Sequence, residues 1–125
     1  MRPLIYVASP LSDLPFNYIE WLGIMNDEGL HLFDCGWAPI VPGNDFLFCY
    51  RSPRKLSMAE MLSIDHEYIR ASVAVRVIAE THRDGRPSAG VHDEIAFAES
   101  IGKPICRTRE EAVVQYRKWK REATE

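Results

Sequence analysis

The sequence predicts one three-layer α/β/α domain: a parallel sheet of four or five strands with helices on both faces. Short apolar runs of β-prone residues alternate with longer stretches in which apolar residues recur every three or four positions. That strand–helix alternation is the order that builds parallel sheets through crossover helices. The length of 125 residues, with 46% hydrophobic, 26% charged and 10% aromatic residues, suits a single globular core. Neither an internal repeat nor a boundary divides residues 1–125.

Leu4-Ile5-Tyr6-Val7-Ala8 is a continuous apolar run, the pattern of a strand buried on both faces. Ser9 to Asp13 breaks it with a proline and short polar side chains. From about Leu14 to Cys35, Tyr18, Leu22, Met25, Gly29 and Leu32 recur at helical spacing, and Gly36 follows as a C-cap. Trp37 to Pro42 reads as a short strand, confined by its prolines to a sheet edge. The stretch from Gly43 to Lys55, with Pro42 just before it and Pro53 inside it, carries interleaved aromatics and reads as a long loop, a lid or an assembly surface. Ser57 with Glu60 has capping-box spacing for a helix running to about Ala71. Val73 to Ala79 is a strand interrupted by Arg76, and Thr81 to Pro87 is a polar turn. Ser88 caps a helix carrying Gly90, Val91, Glu94, Ile95, Ala98 and Ile101, which Gly102 ends. Pro104-Ile105-Cys106 is a final strand. The tail from Thr108 to Glu125 is a helix, acidic first and basic last, as the helix dipole favours.

Fifteen Lys and Arg against eighteen Asp and Glu leave a net charge of −3. A nucleic-acid polymer is not the expected partner, because such binding needs a basic excess to neutralise phosphates. No run approaches the roughly 18 apolar residues of a membrane span, and Met1 to Val7 is too short and too soon polar for a secretory signal. Cys35, Cys49 and Cys106 are odd in number and widely spaced, which fits reduced thiols in a cytoplasmic protein. His66, His82 and His92 form no tight ligand spacing, so neither a metal nor a cofactor is expected.

In a parallel sheet, ligands bind at the carboxyl ends of the strands beside a topological switch point. Three loops qualify: Ser9 to Asp13, Val41 to Lys55, and Glu80 to Ser88. Pro87 to Glu94 is the densest stretch. With Ser88 as N-cap, the N–H groups of Gly90 and Val91 are expected as spare donors for an anion or a hydroxyl. Glu94 shares the face of Gly90 one turn deeper, where a partly desolvated carboxylate suits a nucleophile or a general base.

Ile5-Tyr6-Val7-Ala8-Ser9-Pro10, then Asp65, then Ser88-x-Gly90-Val91-x-x-Glu94 with Ala98 and Gly102-Lys103-Pro104, resembles the nucleoside 2-deoxyribosyltransferase superfamily. That superfamily includes the deoxynucleoside 5′-monophosphate N-glycosidases and small bacterial proteins of similar length. The resemblance runs from about Leu4 to Ile105 and implies a flavodoxin-like fold. It implies that Glu94 attacks the anomeric carbon of a nucleoside or nucleotide, with Tyr6 orienting it and Asp65 on the sugar and base side. Ala8, Ser9, Pro10, Ser88, Gly90 and Val91 then become substrate-binding positions, and a homo-oligomer is implied. The chain departs from the nucleotide-cleaving pattern in its first loop, which offers hydroxyls but no arginine. It also has Ser72-Val73 where an acidic residue often stands.

Other readings stand beside these. Tyr6 also fits a packing residue, and Asp65 a helix residue paired with an arginine. Asp93 reads as a surface charge, and Arg117 to Arg121 as a solvated helix end. Trp37, Phe46, Phe48 and Tyr50 fit either base stacking or a core and interface role. The rival functions are a non-catalytic protein that senses a nucleotide or nucleotide-sugar, and an accessory protein with a vestigial cleft.

Overall fold

A computed structural model describes residues 1–11 and 15–124. Strand β1 spans Leu4–Ala8 and helix α1 spans Pro15–Asp34; strand β2 is Ala38–Ile40. A 3-10 turn at Pro42–Asp45 leads into α2 at Phe46–Arg51, followed by α3 at Met58–Ala71 and β3 at Ala74–Val77. Helix α4 spans Ala89–Ser100, β4 is Ile105–Cys106, and α5 spans Arg109–Thr124. The strands form one parallel sheet in the order β2-β1-β3-β4, with Tyr6 paired to Ile40 on one side and Val75 on the other. This is the flavodoxin-like three-layer α/β/α arrangement that the alternation predicts.

The core divides along the pleat, as period-two side-chain alternation requires. Ile5 and Val7 of β1 join Met25 and Leu32 of α1 and Ala112 of α5 on one face. Tyr6 and Ala8 join Ile69 of α3 and Val91, Ile95 and Ala98 of α4 on the other. Both faces of β1 are therefore covered, which explains its unbroken apolar run.

Several local signals act as expected. Ser57 Oγ accepts from the Glu60 N–H at 3.1 Å while Glu60 Oε1 accepts from the Ser57 N–H at 2.9 Å, closing the capping box. Gly36 ends α1 at φ +116°, where a Cβ would lie 2.4 Å from the Tyr116 ring. β2, with Pro39 inside it, is an edge strand.

The stretch from Gly43 to Lys55 is not the single long loop that Pro42 and Pro53 suggest. Pro42 opens the 3-10 turn, where its missing N–H removes no hydrogen bond, and Pro53 follows α2. The Phe46–Arg51 segment between them contains neither proline nor glycine and closes a short helix. Trp37 is also settled as core: it is fully buried, its Nε1–H donates to the Ala112 carbonyl at 3.2 Å, and Tyr116 meets it edge-on. Leu14, Ser12, Asp13 and Glu125, named in the helix, loop and tail expectations, lie outside the described residues, as do the side chains of Phe46 and Tyr50.

Arg76, which interrupts the third strand's apolar run, turns toward α1 and meets a partner there. Its Nε donates to Glu28 Oε1 at 3.0 Å, and Arg109 Nε donates to Glu28 Oε2 at 2.8 Å. Glu28 is buried between the two guanidinium groups. Among the described residues, no helix is long and apolar enough to cross a membrane.

Candidate active site

β1 and β3 are neighbours whose onward connections leave for opposite sides of the sheet, so a crevice opens beyond their carboxyl ends. A cavity of about 410 Å³ fills it. All three predicted loops contribute to its wall, through Ser9 and Leu11, through Gly43 and Asp45, and through Arg86 and Ser88.

Tyr6, Asp65 and Glu94 meet on this wall from three different elements. Tyr6 reaches the α3/α4 side because it is an even-numbered residue of β1, and it is fully buried. Asp65 comes from α3 and Glu94 from α4, two helices that pack against one another over the sheet. Glu94 is only 7% exposed. Desolvation pushes its carboxyl up from 4.5 to about 8, against the lowering influence of the Tyr6 hydroxyl and with a further rise from the Asp65 charge. Burial likewise raises Asp65 from 3.8 to about 6, again opposed by Tyr6. The Tyr6 hydroxyl itself is held well above 10, first by burial and then by the two carboxyls.

Tyr6 Oη is within range to influence both carboxyls, but it closes no bond of normal distance and angle. Tyr6 Oη, Glu94 Oε2 and Ser9 Oγ are buried without a hydrogen-bond partner among the described residues. Unmade buried bonds cost stability, so a group of them at one cleft marks a place where polar capacity is held in reserve.

The N-terminus of α4, one turn from Glu94, also lines the cavity. Ser88 caps the helix as its position predicts, with Oγ accepting from the Val91 N–H at 3.3 Å. Val91 is therefore not the spare donor expected from the sequence, because the cap consumes its N–H. Gly90 lines the cavity, and open space surrounds the position where a Cβ would stand. Ala8 also lines the cavity, whereas Pro10 is buried behind the wall and does not reach it. Asp93 is not a free surface charge: its Oδ2 lies 2.6 Å from His66 Nε2, and the His66 ring stacks on Phe97 at 4.0 Å. Asp65 lines the cavity, and among the described residues no arginine pairs with it.

Residue-by-residue reading of the sequence missed Asp45, Cys49, Tyr18, His82 and Arg86, all on the cavity wall. Asp45, Cys49, His82 and Arg86 lie in segments that read as loops at the strand ends, and Tyr18 in the helix after β1, but nothing in a linear pattern tells which of these side chains turns inward. Arg86 pairs with Asp84 at 2.6 Å in the loop closed by the Thr81–Pro87 bridge. Among the described residues, no group of three His, Cys, Asp or Glu side chains is placed to hold a metal ion.

The fold and site together define a class: a flavodoxin-like domain with a buried carboxyl, a half-buried one and a tyrosine hydroxyl at its switch-point cleft. No family model matches the chain, and no curated protein matches it.

Proposed function

We propose that this cleft cleaves or transfers the N-glycosidic bond of a nucleoside, nucleotide or related ribosyl compound, as the resemblance implies. The observation that carries the reading is the convergence of Tyr6, Asp65 and Glu94 on one cavity, with Tyr6 Oη and Glu94 Oε2 buried and unpartnered. In this reading the Glu94 carboxylate attacks the anomeric carbon. The C–N bond breaks with its electron pair leaving on the base, and the base takes the one proton that the Asp65–Glu94 pair shares near neutral pH, delivered from Asp65 as Glu94 attacks in its ionised form. Water or a second base then displaces Glu94 from the sugar. The transition state is oxocarbenium-like, so an anion aimed at it from a dry wall stabilises it strongly. Tyr6 lies beside the carboxylate, and its hydroxyl favours the charged form against the desolvation that raises it.

Ser9, Ser88 and Gly90 hold the polar end of the substrate on the α4 side of the cavity. Phe48 and Met58 are exposed, and Met58 also lines the cavity. A second copy of the chain, as the resemblance implies, would cover them; sedimentation tests this.

A sensor is the second reading, favoured by the burial that raises the Glu94 carboxyl to about 8 and so works against a standing nucleophile at neutral pH. Free-base release from a panel of ribo- and deoxyribonucleosides and their monophosphates separates the two. Wild type and Glu94→Gln are run with and without an acceptor base. Release that disappears in the variant supports the glycosidic reading. Tight binding without release, unchanged by the substitution, supports the sensor.

A further inference from the structure

Asp45 occupies the N-cap of α2 but does not cap it. An aspartate at that position ordinarily accepts from the N–H groups of the first turn, a bond worth about 1 kcal/mol. Here the side chain makes no capping bond. Its Oδ2 instead accepts from the Tyr68 hydroxyl of α3 at 3.0 Å, and the residue lines the cavity that holds Glu94 and Asp65. The local stabilisation is forgone, and the carboxylate is fixed from a second element on the cavity wall. Its charge is felt at Asp65, whose carboxyl it helps to raise after burial has done most of the work.

The wall shared with Asp45 is largely apolar, built by Met58, Met61 and Leu62 of α3 together with Leu11. Apolar and polarizable side chains suit the faces of a flat heteroaromatic ring. A carboxylate is acceptor-only, so it discriminates among ring edges. At the exocyclic position of the ring, an amine facing it makes a charge-assisted bond, whereas a carbonyl oxygen there sets acceptor against acceptor.

Resting on the glycosidic reading above, we propose that Asp45 is the specificity-determining residue for the base. It selects an amino-bearing base over the oxo counterpart of the same ring, and Tyr68 is the positioning residue that holds it. One charge-assisted bond corresponds to a preference of roughly 10- to 100-fold. Asparagine in place of Asp45 still accepts from Tyr68 but also presents N–H donors, so it accommodates a carbonyl edge.

The test pairs 2′-deoxyadenosine with 2′-deoxyinosine and 2′-deoxycytidine with 2′-deoxyuridine. Base release gives kcat/KM ratios for wild type and Asp45→Asn. Calorimetry gives affinities on Glu94→Gln and on Glu94→Gln/Asp45→Asn, where turnover does not interfere. The expected result is an amino preference within each pair that collapses or reverses with Asp45→Asn in both measurements, and that Tyr68→Phe weakens. Release with ratios near one, or ratios unmoved by Asp45→Asn, overturns the role of Asp45 and leaves the glycosidic reading standing. An amino preference in binding that Asp45→Asn abolishes, without release by wild type, upholds Asp45 and overturns the glycosidic reading. Binding of none of the four nucleosides, nor of their 5′-monophosphates, overturns both.

Discussion

Replacing Glu94 by glutamine keeps the shape of the side chain and removes its titration, so it isolates the cost of holding a carboxyl in the cleft. Glu94 is 7% exposed, and its pKa rises from 4.5 to about 8 on folding. A carboxyl with a higher pKa in the folded state holds its proton more tightly there. Its contribution to stability is present in full below about pH 4.5 and is lost as the pH rises through about 8. Integrating between those two values, ionisation of Glu94 destabilises the wild type by about 1 kcal/mol at pH 5. The loss is about 3 kcal/mol at pH 7 and about 5 kcal/mol at pH 9. Glu94→Gln avoids it, so the variant is expected to be the more stable protein by a margin that widens by about 4 kcal/mol from pH 5 to pH 9. Asp65 remains in both proteins, and its own burial largely cancels from the difference. Urea unfolding followed by fluorescence of the three tryptophans measures the margin at each pH. A margin that stays flat with pH, or shrinks as pH rises, refutes the claim that the cleft stores the cost of a desolvated charge.

Three further outcomes follow from the same geometry. The pH dependence of kcat/KM for base release is expected to be bell-shaped, with apparent values near 6 and 8 belonging to the Asp65–Glu94 pair; Asp65→Asn should remove one limb, and a flat profile would exclude both carboxyls. Glu28→Ala leaves the buried Arg76 guanidinium without its carboxylate and should cost about 3–5 kcal/mol by chemical denaturation; a loss below about 1 kcal/mol would mean that water or a rearranged Arg109 supports Arg76. Gly90→Ala meets no atom within 4 Å and should fold as well as the wild type, while its methyl group crowds the substrate and raises KM about 10-fold or more; unchanged kinetics would place the substrate away from the α4 N-terminus.

Much of the architecture is legible because it depends on local or periodic signals. The apolar run Leu4–Ala8 reads as doubly buried, and the β1 side chains are covered from both faces. Ser57 and Ser88 read as caps because a cap is satisfied within three residues of its own position. Gly36 reads as a helix end because a left-handed backbone is a local requirement. The 43–55 stretch was misread because proline breaks a helix only from inside it, and Pro42 and Pro53 stand outside α2. Arg76 gave no hint of its partner, since Glu28 lies 48 positions away.

The candidate site divides in the same way. Gly90 and Glu94 are one helix turn apart, so their shared face follows from helical periodicity, and Ser88 sits at the cap that starts that helix. The sequence by itself therefore determined the alternation of elements, the caps, the parallel sheet and the strand ends at which a cleft opens. Only the tertiary structure decided that Tyr6, Asp65 and Glu94 share one wall, that Val91 spends its N–H on Ser88, and that Asp45 turns from its helix toward the cavity. The physical reason is range. Backbone propensity and side-chain period act over a few residues, whereas burial, charge coupling and the choice of hydrogen-bond partner depend on what the rest of the chain brings alongside.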